Sequence, residues 1–296
     1  MKRTLVFLLL AGLAWTLPAA AQDDVLDLGE IVIVSPGADA VDILKDMPGT
    51  TTVLERRDFD ERQASLPELL EQSAGVEVRG YGGLGSYSVA SVRGSSPAQV
   101  LVLLDGIPLN QASGGAVNLG NIPLNNVERI EIFRGHVPVR YHTSALGGVI
   151  NIVTREPSAG RSTVRADAGL GSFGTHYESL FVARTCERWR HAWTGVLRGT
   201  RGDFRYTDDN GTPFNTADDT TATRRNNKNK AFNLTWKAAF DGGPSERISI
   251  TNNYFNKKEG VPGLGTSQSL AASLYTQRHL SNVRLERANY LFGHSD

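Results

Sequence analysis

The sequence predicts an α+β domain followed by a long series of antiparallel β-strands. Between residues 47 and 157, short strand-like runs flank one amphipathic helical stretch. Past Pro157 the hydrophobic period settles at two. Phe232, Leu234, Trp236, Ala238 and Phe240 alternate with Asn233, Thr235, Lys237 and Ala239, and Ile248, Ile250 and Tyr254 alternate with Ser249, Thr251 and Asn253. Glycine at 31 of 296 residues and a hydrophobic fraction of 40% suit a turn-rich β protein. Strands with one apolar and one polar face fit a soluble sandwich and a membrane barrel equally, so periodicity alone does not separate the two.

The chain opens MKRTLVFLLLAGLAWTLPAAAQDD: two basic residues, an apolar run from Leu5 to Leu17, then Ala19-Ala20-Ala21. This is the pattern of a secretory signal peptide, residues 1–21, cleaved before Gln22. The apolar run falls short of the roughly 20 residues that a spanning helix needs. Export implies an oxidising compartment, where the single Cys186 has no internal disulfide partner and reads as an ordinary half-buried residue. Lys+Arg and Asp+Glu are both 31, so no basic excess points to nucleic acid. Downstream of the signal, no apolar run reaches spanning-helix length, so any entry into a membrane would be by strands.

Residues 22–46 carry Glu30-Ile31-Val32-Ile33-Val34, a strand-forming run that ends at Ser35-Pro36 with no hairpin partner nearby. Its edge hydrogen bonds are open to another chain, although an ordinary first strand reads the same way. From Gly37 to Asp46 the chain reads as a flexible connector. Thr51 to Leu54 is a short strand, and Asp58 is a candidate N-cap. Ser65 to Gln72 is a helix: Ser65 or Leu66 precedes it, Pro67 takes an early-turn position, Glu68 favours the N-terminal dipole and Gly75 ends it. A strand starts at Val76. The string Gly80 to Tyr87 has nucleotide-loop glycines but leads into strand-like Ser88 to Arg93 rather than a helix, which excludes a dinucleotide fingerprint.

Val100 to Leu104 is a buried strand, and Asp105-Gly106 is its turn signal. No second carboxylate or histidine lies at a motif spacing from Asp105, so a turn role outweighs a catalytic one. Asn110 to Gly120 is a second polar loop. Val127 to Phe133 is a strand, Arg134-Gly135 opens a turn, Ala145-Leu146-Gly147-Gly148 is a small-residue hinge, and Val149 to Thr154 is a β-branched run of the kind that is buried on both faces. The glycine pair lets the backbone pass close to another element. The histidines at 136, 142, 176, 191, 279 and 294 show no metal-ligand or triad spacing.

The stretch Val127 to Thr154, with Arg134-Gly135, Tyr141 and Ala145-Leu146-Gly147-Gly148-Val149-Ile150-Asn151-Ile152, resembles the end of the plug domain of TonB-dependent outer-membrane receptors. LVLLDGIPL (101–109, preceded by Val100) matches that family's plug core, and the junction of helix and strand at Ala74-Gly75-Val76 is similar to its P-G-V. His136 stands where the family usually has proline and His142 where it usually has glycine. The resemblance covers roughly residues 30–157 and is closest to the cobalamin and siderophore branch.

It implies a TonB box at Glu30, Ile31, Val32, Ile33 and Val34, which pairs by strand addition with the TonB energy-coupling protein. It also implies a plug over 47–157 and the N-terminal part of a 22-stranded transmembrane barrel over 158–296. Ligand contact is implied at the plug apices, Gly82, Gly83, Leu84, Ser86 and Tyr87 together with Asn110, Ser113, Gly114 and Gly115. Arg93 and Arg134 are implied to be plug–barrel contacts. The implied function is energised uptake of a metal chelate, iron-siderophore or cobalamin, across the outer membrane of a Gram-negative bacterium, with no enzymatic chemistry and no cofactor. The other readings are a soluble periplasmic plug-like binding protein and a secreted β-rich enzyme.

Under the barrel reading, Trp189, Trp193 and Trp236 suit aromatic girdles, and Gly202 to Asn229 is a long outer loop whose Asp208, Asp209, Asp218 and Asp219 are solvated acids. About six strand-like segments follow Gly160. A plug of about 110 residues has a radius near 17 Å, whereas eight tilted strands enclose only about 8 Å and 22 enclose roughly 22 Å. These residues are therefore expected to form an incomplete barrel.

Overall fold

The computed structural model describes residues 51–287 apart from 61–64, 84, 112–113, 136, 138–140, 142–144, 157–161, 244–245 and 265–266. The signal peptide, the segment 30–34, Leu84, Ser113, His136 and His142 lie outside the described residues. The α+β domain contains β1 (Thr51–Glu55), α1 (Leu66–Glu71), β2 (Val76–Gly80), β3 (Ser88–Val92), β4 (Val100–Leu104), β5 (Ile107–Pro108), β6 (Val127–Phe133) and β7 (Gly148–Thr154). Five of these strands form one sheet in the order β1-β6-β7-β4-β5, with β4 and β7 parallel and the other pairs antiparallel.

Every residue of β7 is buried, as its β-branched run requires. Ile130, Ile132, Ile150 and Ile152 face the main core with Leu66, Leu69, Leu70, Val92 and Val102, while Phe133, Val149 and Leu103 fill a second cluster on the other face. The hinge glycines are sterically obligatory. Gly148 sits at φ +129, where a Cβ would come 2.6 Å from the Phe133 carbonyl oxygen, and a Cβ on Gly147 would collide with Ser95.

Helix α1 starts at Ser65, whose backbone N–H donates to Glu68 Oε2 at 2.8 Å in a capping box, and Gly75 takes φ +72 after it. Its leucines pack on the β2–β3 hairpin. Asp58 does not serve as an N-cap. Glu55 caps the short 3-10 turn Arg56–Asp58, and Asp58 is its third residue, accepting the Glu55 N–H at 2.8 Å. The E-x-x-D string is a capping box, one turn earlier than the acid alone suggested. Asp105 and Gly106 sit at φ +52 and +79, the left-handed pair that a two-residue hairpin between β4 and β5 demands.

The second part is a six-stranded antiparallel sheet, the wall: β8 (Thr163–Gly171), β9 (Thr175–Cys186), β10 (Trp189–Thr200), β13 (Asn229–Gly243), β14 (Glu246–Gly260) and β17 (Ser273–Arg287) in the order β17-β14-β13-β10-β9-β8. At one end the strands join by short turns, Glu187-Arg188 and the step from Gly243 to Glu246; at the other lie the long connections 201–228 and 261–272. The connection after Gly202 is more ordered than the loop expected from its composition. It holds a two-stranded ribbon of β11 (Arg205–Asp208) and β12 (Thr220–Thr223), and two small strands, β15 (Gly263–Leu264) and β16 (Ser267–Gln268), pair in the other connection.

The wall is inside out by the standards of a soluble protein. Its polar face is buried: Asn233 and Asn253 are each 2% exposed and Lys257 0%, whereas Val164, Leu170 and Val283 on the opposite face are 71%, 84% and 69% exposed. A soluble sandwich buries the apolar face, so the alternation that left two architectures open is resolved by which face is covered. The Trp189 ring lies 4.9 Å from Phe240, tilted by 46°, toward the short turns, and Phe232 approaches Tyr254 at 6.3 Å toward the long connections. Along β13 these bands are about 26 Å apart, or roughly 20 Å when tilted, the scale of a barrel's apolar belt. No helix among the described residues is long and apolar enough to cross a membrane.

Candidate functional site

The polar face of the wall is the seat of the α+β domain, and the contacts fall at three levels set by strand register. At the level nearest the short turns, Ala192, Lys237 and Thr251 are aligned across β10, β13 and β14. Lys237 Nζ donates to Asp105 Oδ1 and to the Thr154 carbonyl, both at 3.0 Å. Asp105 also accepts the Thr154 N–H at 2.8 Å and hydroxyl at 2.7 Å. The turn residue is thus also the domain's anchor for the wall lysine. At the middle level, Asn126 donates to Thr235 Oγ1 at 2.7 Å, and Asn253 donates to the same hydroxyl at 2.8 Å. At the level nearest the long connections, Lys257 Nζ donates to the Gly85 carbonyl at 2.9 Å, and the Arg198 guanidinium donates to the Gly120 carbonyl. None of these wall residues was singled out as a contact in the sequence. The available signal was the placement of Lys237 on the polar face of a period-two strand.

The two polar loops of the domain meet at this upper end. Asn118 Oδ1 accepts the N–H of Gly120 at 3.0 Å and of Ser88 at 3.1 Å, stitching the 80–88 loop to the 110–121 loop. Gly82, Gly83 and Tyr87 are exposed, Ser86 is half-buried, and the Tyr81 and Tyr87 rings stand 5.6 Å apart. Gly114 and Gly115 are exposed with open space around them. Asn110 works inward: its side chain accepts the Val102 N–H at 2.9 Å and donates to the Val100 carbonyl at 3.0 Å, capping the edge of β4. The segments 80–92 and 106–127 contain no Asp, Glu, Lys or Arg.

Arg93 and Arg134 are brought side by side within the domain, Arg93 exposed at φ +51 and Arg134 buried. Arg134 donates to Thr52 Oγ1 at 2.8 Å, and burial, with repulsion from Arg93, pulls its basicity below the ordinary guanidinium value.

Glu131 is fully buried in β6. Its carboxylate accepts from Arg129 Nε at 2.8 Å, Tyr141 Oη at 2.6 Å and Asn151 Nδ2 at 2.9 Å. Tyr141→Phe removes a hydrogen bond to a charged group, and a loss of about 1.5–3 kcal/mol is expected. Proteolysis of the domain across a urea series would measure it, and an unchanged midpoint would refute the role of the hydroxyl.

Where the domain runs into the wall, Arg165 of β8 pairs with Asp60 at 2.7 Å and Asp167 at 3.0 Å, and Arg56 pairs with Asp60 at 2.7 Å. Burial pushes the Asp60 carboxyl up, but Arg165 and Arg56 together hold it below the usual carboxylate range. Burial, reinforced by Arg56 and Arg165, brings Arg155 down to about 10, and its guanidinium lies over the Phe181 ring at 5.0 Å.

In the β11–β12 ribbon, Asp208 and Asp209 accept backbone N–H groups of Asn210 and Gly211, and Asp218 accepts the Thr212 hydroxyl. They act as turn acceptors. Among the described residues no group of His, Cys, Asp or Glu is placed to hold a metal ion.

The α+β domain has counterparts among known proteins. The TonB-dependent Receptor Plug Domain model matches residues 43–149. The vitamin B12 transporter BtuB of Vibrio cholerae is 41% identical over 155 residues, 52% of this chain and 25% of that protein. The chain thus spans about a quarter of the length of this curated relative. The ferric enterobactin receptor PfeA of Pseudomonas aeruginosa, in a mutant form, shares the fold with a TM-score of 0.59 at 18% identity, over 85% of this chain and 40% of that one. The ferric-catecholate import receptor Fiu of E. coli K12 does so with a TM-score of 0.55 at 20% identity, over 74% and 28%. Residues 43–149 thus form a domain similar to the TonB-dependent receptor plug, seated on the buried polar face of an outward-apolar antiparallel sheet of the barrel type.

Proposed function

We propose that the chain serves energised uptake of a metal chelate, cobalamin or an iron-siderophore, across the outer membrane. The observation that carries this reading is the inside-out wall, whose exposed apolar face suits lipid while its polar face holds the plug. A soluble periplasmic binding protein would leave that apolar face in water, and the proteins this chain is similar to are transporters and receptors. In this reading residues 1–21 are the export signal, 22–46 the TonB box and linker, 47–157 the plug and 158–296 wall. Ligand rests on the outward loops at Gly82, Gly83, Leu84, Ser86, Tyr87, Asn110, Ser113, Gly114 and Gly115, and the Asn110 amide also bonds Val102 and Val100 of β4. Arg93 and Arg134 are plug residues that help seat it in the wall.

The absence of charge over 80–92 and 106–127 favours a neutral ligand rich in hydrogen-bonding groups over a strongly anionic ferric chelate. The test is binding and uptake of cyanocobalamin, with a ferric catecholate as competitor, in cells with and without the inner-membrane energy coupler. Coupler-dependent uptake alongside coupler-independent binding is expected. Uptake that persists without the coupler would overturn the proposal.

A further inference from the structure

At the upper level of the wall, Arg198 is registered with Ala231 and Ala231 with Lys257, so two cations on β10 and β14 flank a small residue on β13. Lys257 is fully buried and pairs with Glu259 at 2.9 Å. Both cations reach main-chain oxygens of the plug, Gly85 for Lys257 and Gly120 for Arg198. Glycine is needed at each point. Gly85 sits at φ +76 with Asn229 Nδ2 only 2.9 Å from where a Cβ would be, and a Cβ on Gly120 would collide with the Ser86 carbonyl oxygen. The two acceptors belong to the two loops that Asn118 already stitches together.

We propose that Lys257 and Arg198 are positioning residues that set the height of the plug's two outward loops by holding the Gly85 and Gly120 carbonyls. This rests on the reading of those loops as the ligand site. A buried ammonium that loses its carbonyl has no water to replace it, so displacement of the 85–86 backbone is penalised. Gly82, Gly83, Gly114 and Gly115 stay exposed and are left free for contact. Ligand then meets loops whose placement is already fixed, and less ordering opposes binding.

Hydrogen exchange on the intact receptor in detergent, without ligand, tests the device. In the unmutated protein the amides at 85–88 and 118–121 should exchange more slowly than those at 82–83 and 114–115. Lys257→Met should speed exchange at 85–88 by about tenfold or more, and Arg198→Gln should do so at 118–121, with β7 unchanged. Binding of cyanocobalamin should weaken by about tenfold in each variant. Equal exchange at anchors and tips in the unmutated protein, or no change in either variant, overturns the positioning role; the first comparison decides even where a variant fails to fold. Faster exchange with unchanged cyanocobalamin binding leaves the two residues as anchors and overturns the ligand reading of the loops instead.

Discussion

Replacing Ile33 with proline should abolish energised uptake while leaving ligand binding at the unmutated level. The run Glu30 to Val34 has strand-forming residues and no hairpin partner close in sequence, so its pairing capacity is open to a second chain. Strand addition depends on main-chain hydrogen bonds at alternate residues, and proline removes the donor and fixes φ at a central position of the run. Ile33→Val keeps both the donor and the strand preference and should take up ligand normally. Labelled cyanocobalamin, followed separately as surface-bound and internalised fractions, distinguishes the outcomes. Internalisation by the proline variant at the unmutated rate would remove the TonB-box assignment.

Lys237→Met should loosen the plug from the wall by about 3–5 kcal/mol, the range for removing one member of a buried ion pair. The side chains of Lys237 and Asp105 are 8% and 10% exposed and meet at 3.0 Å, so neither has ready access to water once its partner is gone. Asp105 keeps its bonds to Thr154, which hold the turn but leave the carboxylate charge uncompensated. The double variant Lys237→Met/Asp105→Asn removes both charges and should recover a substantial part of the loss. By contrast, Asn126→Ala at the neutral middle level should cost only about 1 kcal/mol. The denaturant midpoint at which a protease gains the plug would rank the three. A Lys237→Met midpoint no lower than that of Asn126→Ala would show that the pair does not hold the plug.

Much of the plug was legible because its signals are local. The β-branched run after Gly148, the Asp105-Gly106 turn and the Ser65-x-x-Glu68 box each specify a conformation within a few residues, and the elements appear with bounds within about two residues of those expected. The family-level motifs around Arg134, Tyr141 and Gly147-Gly148 did the rest. What could not be read were the contacts between plug and wall. Asp105 and Lys237 are 132 residues apart, Gly85 and Lys257 are 172 apart, and in the latter the partner is a carbonyl oxygen that any residue possesses. Periodicity showed that β13 has two faces but carried no information about which one would be covered. Nor could the bonds of the Asn110 amide to Val102 and Val100 be read, because both partners are main-chain groups.

The main-chain character of the upper anchors separates where the loops stand from what they can hold. Lys257 and Arg198 grip atoms common to every polypeptide, and the only loop identities they require are the glycines at 85 and 120. Among the exposed tip positions, Tyr81 and Gln111 can change without disturbing the grip, whereas a Cβ on Gly82 would meet the Ser86 hydroxyl oxygen at 2.6 Å and Gly114 and Gly115 hold φ of +83 and +117. In the uptake reading proposed above, one mount can then carry different side chains at such exposed positions while the wall stays as it is.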